Sequence, residues 1–161
     1  MIEDKLKKLL IECKKDKTVN FIVDYWDRKS KNPKEWRVVY FGPKGSPYEG
    51  GIFTVKVVFK NDYPNSRPDF YFITKIYHLN IDWVTKNCNG KVCLGRYAEK
   101  DIKKLLRIVN TYFTSQNTFS TWYDDTVKKN YDDYIHGRSK VFYEEAQRWV
   151  YLYAGLRELN K

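Results

Sequence analysis

The decapeptide GPKGSPYEGG at 42–51 holds four glycines and two prolines, so neither a helix nor a strand can run through it. It breaks the chain between two stretches of strand pattern. Upstream, Thr18–Trp26 and Glu35–Phe41 are rich in β-branched and aromatic side chains. The polar run Asp27–Lys34 between them, with Asn32-Pro33, reads as a hairpin loop. Downstream, Phe53, Val55, Val57 and Phe59 alternate along Ile52–Phe59, the period of a strand buried on one face. NDYPNSRP makes a turn, and Asp69–Thr74 is a short strand with Phe70 and Phe72 on one side. These segments predict an antiparallel meander of four strands.

Helical periodicity brackets the meander. Ile2, Leu6, Leu9, Leu10 and Cys13 line one face of an amphipathic N-terminal helix whose outer face carries lysines. After the strands, Lys75–Tyr97 shows no period and holds two of the three cysteines, which marks an irregular segment of the kind that carries function. Ile102, Leu105, Leu106, Val109 and Phe113 then share a helix face wide enough to pack centrally on the sheet. TSQNTFST is a polar loop. Val127, Tyr131, Tyr134 and Ile135 predict a third helix stopping at Gly137, and Ser139 is placed to cap a fourth carrying Phe142, Ala146, Trp149, Val150 and Tyr153. The expected architecture is α+β, and 161 residues suit one domain, 1–161, with one core.

Thirty Lys and Arg against twenty Asp and Glu give a net charge of +10, a field that draws acidic partners and nucleic acid alike. The densest basic groups, Lys14, Lys15 and Lys17, then Arg28, Lys29 and Lys31, are open to two readings: a solvated surface or a nucleic-acid footprint. No apolar run approaches the roughly 20 residues that cross a membrane. The opening MIEDKLKKLLIECKKDK is charged too often for a secretory signal, so the expected setting is cytoplasmic or nuclear, away from the membrane. Three cysteines, Cys13, Cys88 and Cys93, argue against a disulfide framework. His78, Cys88 and Cys93 lack the fourth ligand of a structural zinc site. Cys93 in VCL reads either as a small buried hydrophobe or as a nucleophile with His78 or His136 as the candidate partner.

Four blocks in order narrow the choice. GPKGSPYEGGIF, DYPNSRP, HLNI and GKVCL follow one another from Gly42 to Leu94 and resemble the pattern of the ubiquitin-conjugating enzymes: G-P-x-x-S/T-P-Y-x-G-G-x-F, D-Y-P-x-x-P-P, H-P-N-I and G-x-V/I-C-L. With the first helix and a closing AQRWVYLYA, the resemblance spans nearly the whole chain and implies the UBC fold. It implies that Cys93 accepts ubiquitin or a related modifier from an activating enzyme as a thioester and passes it to a substrate lysine. Asn80 then either stabilises the oxyanion or supports the loop, and Tyr77 and His78 are structural. An acidic or hydroxyl residue that orients the lysine falls at Asp125 when counted back from the closing helix, or at Ser120 when counted forward from Phe113.

The resemblance implies no cofactor, since ATP-binding belongs to the upstream activating enzyme. It implies a monomer whose N-terminal helix meets that enzyme. The chain also departs from the pattern. Leu79 stands where the family has proline, the interval from Asn80 to Cys93 is longer, the segment after Cys93 is shorter, and Asn65 replaces the aromatic that helps bind RING-type ligases. A divergent member with an atypical ligase-docking surface is expected. The competing readings are a non-catalytic UBC-fold module that binds ubiquitin or a partner, and a basic nucleic-acid-binding domain.

Overall fold

The computed structural model describes residues 1–83, 89–95, 98–116 and 124–155. Among these residues the chain order is α1 (Ile2–Lys15), β1 (Ile22–Tyr25), β2 (Glu35–Phe41), β3 (Ile52–Val58), β4 (Asp69–Phe72), β5 (Ile81–Asp82), β6 (Lys91–Val92), α2 (Ile102–Thr111), α3 (Asp125–Ile135) and α4 (Val141–Tyr153). The strands form one sheet in the order β1-β2-β3-β4-β6-β5, and every neighbouring pair is antiparallel. The α+β architecture matches the expectation, with one correction: the sheet has six strands rather than four. The extra two lie in the stretch without periodicity. Each is two residues long, too short to show alternation, and forms by backbone pairing of Ile81 with Val92 and of Lys91 with Tyr71.

Register explains the core. Val23, Val38, Val55 and Phe72 stand in one row across four strands, and Trp36, Val57 and Phe70 form the next. All are buried, and the alternating residues of β2 face the other way. The inner face is covered by α2, which buries Ile102, Leu105, Leu106 and Val109. On α1, Leu6, Leu10 and Cys13 are buried at helical spacing. Asp101 caps α2 by accepting the Lys103 N–H, at 2.8 Å. At α4 the cap position is Lys140 rather than Ser139, whose hydroxyl nonetheless accepts the Val141 N–H at 3.1 Å. Beyond Thr111 the chain leaves the helix, and Phe113 is held by the rings of Tyr40, Tyr48, Phe53 and Phe72.

Gly90 joins this scaffold to the loop that follows. Its carbonyl accepts the Phe72 N–H at 2.8 Å and its own N–H donates to the Asp82 carbonyl at 2.6 Å, tying β4, β5 and β6 at one residue. Its φ is +86°, and a Cβ there would strike the Phe72 carbonyl oxygen and lie 2.8 Å from the Trp83 ring. Gly45 has a similar φ of +81° but open space around it. Gly90→Ala is therefore expected to destabilise by about 2–4 kcal/mol, and Gly45→Ala by only the left-handed penalty of about 1–2 kcal/mol. Urea unfolding midpoints of the two variants check this, and equal losses would show that close approach at Gly90 is unimportant.

Candidate active site

Cys93 follows β6 directly. Its neighbours Val92 and Leu94 point into the core, so alternation leaves the cysteine half-buried between two anchors. Its backbone is pinned on both sides of the thiol. The Cys93 N–H donates to the Asn80 carbonyl at 2.8 Å, and its carbonyl accepts the Tyr112 hydroxyl at 3.2 Å. By contrast, Cys13 lies on the inner face of α1, where burial pushes its thiol up to about 11. Cys88 lies outside the described residues.

The turn that carries Asn80 is organised by His78. The imidazole lies near-parallel to the rings of Tyr48 and Tyr112, with centroids 5.7 and 5.8 Å away. Its Nδ1 accepts the Asn80 N–H at 2.9 Å, which places the ring proton on Nε2, where it donates to the Tyr112 carbonyl at 2.7 Å. Burial depresses the pKa to about 4. Both ring nitrogens are thus occupied, and neither offers a lone pair to Cys93 or to a metal ion. His136 stands at the C-terminal end of α3 with its Nδ1 2.7 Å from the Asp132 carbonyl.

Asn80 is completely buried, and its main chain bridges His78 to Cys93. Tyr77 joins the same turn to the C-terminal helices. Its hydroxyl accepts from the Asn130 amide at 3.0 Å, and its ring packs on Phe142 and Trp149. Asp124 caps α3, accepting the N–H groups of Thr126 and Val127 at 2.8 and 3.2 Å. Asp125 opens the helix with its side chain exposed, and Ser120 lies outside the described residues. Asn65 is exposed, its N–H donating to the Asp62 carbonyl at 2.8 Å.

Three residues around the site escape sequence reasoning: Tyr48, Tyr112 and Gln116. Tyr112 stands beside a periodic core position, Phe113, and takes no part in the helical stripe. Gln116 sits in a loop whose polar composition reads as solvent-exposed, yet it is buried. For Tyr48 the only signal is its place in the SPYEGG block, which names the residue but not its contacts.

The buried imidazole makes stability depend on pH. His78 stays neutral in the folded chain to about pH 4, whereas the ordinary histidine value is 6.5. Between those limits the unfolded chain holds the extra proton, so the contribution is complete above about pH 6.5 and is lost as pH falls toward 4, by up to about 3 kcal/mol. Unfolding free energies from urea titrations are expected to fall between pH 7.5 and 4.5 by about 2–3 kcal/mol more in the parent than in His78→Gln. Identical pH dependence in the two would show that His78 is not the group responsible.

Comparison with known proteins bears on what such a site does. Residues 4–149 match the family model of the ubiquitin-conjugating enzymes. Ubiquitin-conjugating enzyme E2 N of Drosophila melanogaster is 30% identical over 128 residues, covering 76% of this chain and 78% of that protein. Ubiquitin-conjugating enzyme E2 S of Nematostella vectensis is 38% identical over 112 residues, 64% of this chain and 52% of that protein. The chain spans about half the length of the first curated relatives it matches. The crystal structure of a candidate ubiquitin conjugating enzyme from Plasmodium yoelii superposes with a TM-score of 0.75 at 27% identity, over 94% of each chain. With a family match along almost its full length and a shared fold, the chain belongs to the ubiquitin-conjugating enzymes.

Proposed function

We propose that this chain carries ubiquitin, or a ubiquitin-like modifier, on Cys93. The observation that carries the reading is the setting of that residue: a half-buried thiol whose backbone is fixed on both sides while its neighbours are buried. In the charging step the Cys93 thiolate attacks the carbonyl carbon of the activating enzyme's thioester. A new C–S bond forms, and the activating enzyme's cysteine leaves as thiolate. In the transfer step a lysine amine attacks the Cys93 thioester, an isopeptide bond forms, and the Cys93 sulfur leaves as the amine gives up its proton. Each step exchanges one acyl bond for another, so ATP is consumed upstream and this chain needs no cofactor.

Supporting roles follow from position. The burial of Asn80 and its main-chain bonds to His78 and Cys93 favour loop support over direct contact with the oxyanion. We assign the approach of the lysine to Asp125. Asp124 is engaged in capping α3, whereas the Asp125 carboxylate is exposed; on this reading it holds the ammonium form and accepts its proton. The activating enzyme docks on α1. The exposed Asn65 supplies none of the apolar surface that RING-type ligases use in the family, which fits an atypical ligase or direct transfer.

Incubation with an activating enzyme, ATP and tagged ubiquitin is expected to yield an adduct that thiol reductants cleave. It should be absent in Cys93→Ala and become resistant to thiol, or disappear, in Cys93→Ser. A thiol-labile adduct that survives Cys93→Ala and is lost in Cys88→Ala would assign the acceptor to Cys88. No adduct under any condition, with salt-sensitive retention on DNA, would favour the nucleic-acid reading.

Discharge to free lysine separates the two aspartates. Asp125→Ala is expected to slow single-turnover discharge near neutral pH by about 10²-fold, with a defect that shrinks toward the lysine pKa of about 10.4. Asp124→Ala should instead cost about 1 kcal/mol of stability through the lost cap. Should Asp125→Ala discharge at the parent rate at every pH, the role passes to Ser120 or to no side chain.

A further inference from the structure

Leu79 stands where the family pattern has proline, and the exchange adds a backbone N–H that proline lacks. Leu79 is buried, so that donor needs a partner inside the protein. Gln116 provides it: its Oε1 accepts the Leu79 N–H at 2.7 Å. The other end of the same amide, Nε2, donates to the Tyr48 hydroxyl at 2.6 Å, and that hydroxyl donates to the Tyr77 carbonyl at 2.6 Å. The Gln116 N–H donates to the Tyr131 hydroxyl at 3.1 Å. The amide orientation is dictated by its neighbours, because a flipped amide would set NH₂ against the Leu79 N–H.

One buried side chain thus holds the turn from both ends, at the N–H of residue 79 directly and at the carbonyl of residue 77 through Tyr48. The next residue is Asn80, whose N–H is held by His78 and whose carbonyl holds the Cys93 N–H. We propose that Gln116 is a positioning residue that replaces the rigidity of the missing proline, setting the Tyr77–Asn80 turn and through it the Cys93 backbone. Its effect on transfer rests on the reading of Cys93 as the acceptor; the bridge itself does not.

The test pairs two substitutions in the full chain. Gln116→Met keeps the length of the side chain and removes both polar ends, leaving the Leu79 N–H without its acceptor. Leu79→Pro removes that donor. Gln116→Met is expected to slow single-turnover discharge to lysine by about 10–100-fold in the maximal rate, with charging and the lysine concentration dependence changed less than twofold. Adding Leu79→Pro to Gln116→Met should recover most of the rate, because no orphaned donor remains.

A packing role alone predicts a lower melting temperature, unchanged discharge well below it, and no rescue by proline. Amide NMR gives a readout independent of transfer. In Gln116→Met the Leu79 amide should exchange at least 10-fold faster relative to global unfolding, and the Asn80 and Cys93 amide resonances should move. They should return toward the parent positions in the double variant. If Leu79 stays equally protected, or the Asn80 and Cys93 resonances do not move, the proposal is overturned. If Gln116→Met does not fold, the double variant decides: it should fold with parent-like Asn80 and Cys93 resonances, and failure to do so overturns the bridge. A parent chain that never charges defeats the assignment of Cys93 alone, since exchange and resonance positions still decide the role of Gln116.

Discussion

Phe113 fastens the end of α2 to the sheet, and the candidate site depends on that fastening. Its ring lies 5.2–6.1 Å from those of Tyr40, Tyr48, Phe53 and Phe72, which reach it from β2, from the glycine-rich loop, from β3 and from β4. Aromatic pairs of this kind contribute about 0.5–1.5 kcal/mol each beyond the area they bury. Tyr112 comes immediately before Phe113, and Gln116 three residues after it. Once the ring is seated, both reach the turn carrying His78, Leu79 and Asn80. Apolar packing brings the segment into range, and directional hydrogen bonds from Tyr112 and Gln116 then set the geometry.

The interior of the site is polar without being charged. Among the described residues, the buried polar side chains are Ser46, Thr54, Thr74, His78, Asn80 and Gln116, all neutral groups when the imidazole is unprotonated. The positive charge of the described residues therefore stays on the surface. There the ion pairs, such as Arg107 with Asp16 and Lys14 with Asp24, are partly exposed and individually worth about 0–1 kcal/mol. A scaffold built this way holds Cys93 by contacts that salt does not screen, while its surface charge remains available for acidic partners.

The helices and β1 to β4 are legible because each repeats its pattern over enough residues for a period to emerge. β5 and β6 are not, since two residues have no period, and only the backbone bonds to β4 and to each other define them. At the site, the four ordered blocks place Cys93 and Asn80 on one segment without aid from the structure. They leave the partner of Leu79 unread, because nothing in TSQNTFST sets Gln116 apart from solvent-facing neighbours. Counting along the chain cannot choose between Asp125 and Ser120, since loop length varies independently of the helices it joins. Capping geometry distinguishes Asp124 from Asp125 by a single residue, below the resolution of any periodicity argument.

The sequence by itself determined the α+β order, the meander, the inward-facing residues of β3, β4 and α2 and the motif that names the family, whereas Ile135 of the predicted α3 stripe is exposed. Those properties follow from local periodicity and from residue types at fixed spacing, both of which survive in one dimension. Tertiary structure alone decided that His78 is neutral with its proton on Nε2, that Gly90 must lack a side chain beside Phe72, and that Gln116 reaches Leu79 across 37 positions. Each of these depends on which groups share a dry interior. Burial there converts an ordinary N–H, imidazole or glycine into a requirement for one particular partner, and no linear pattern records who that partner is.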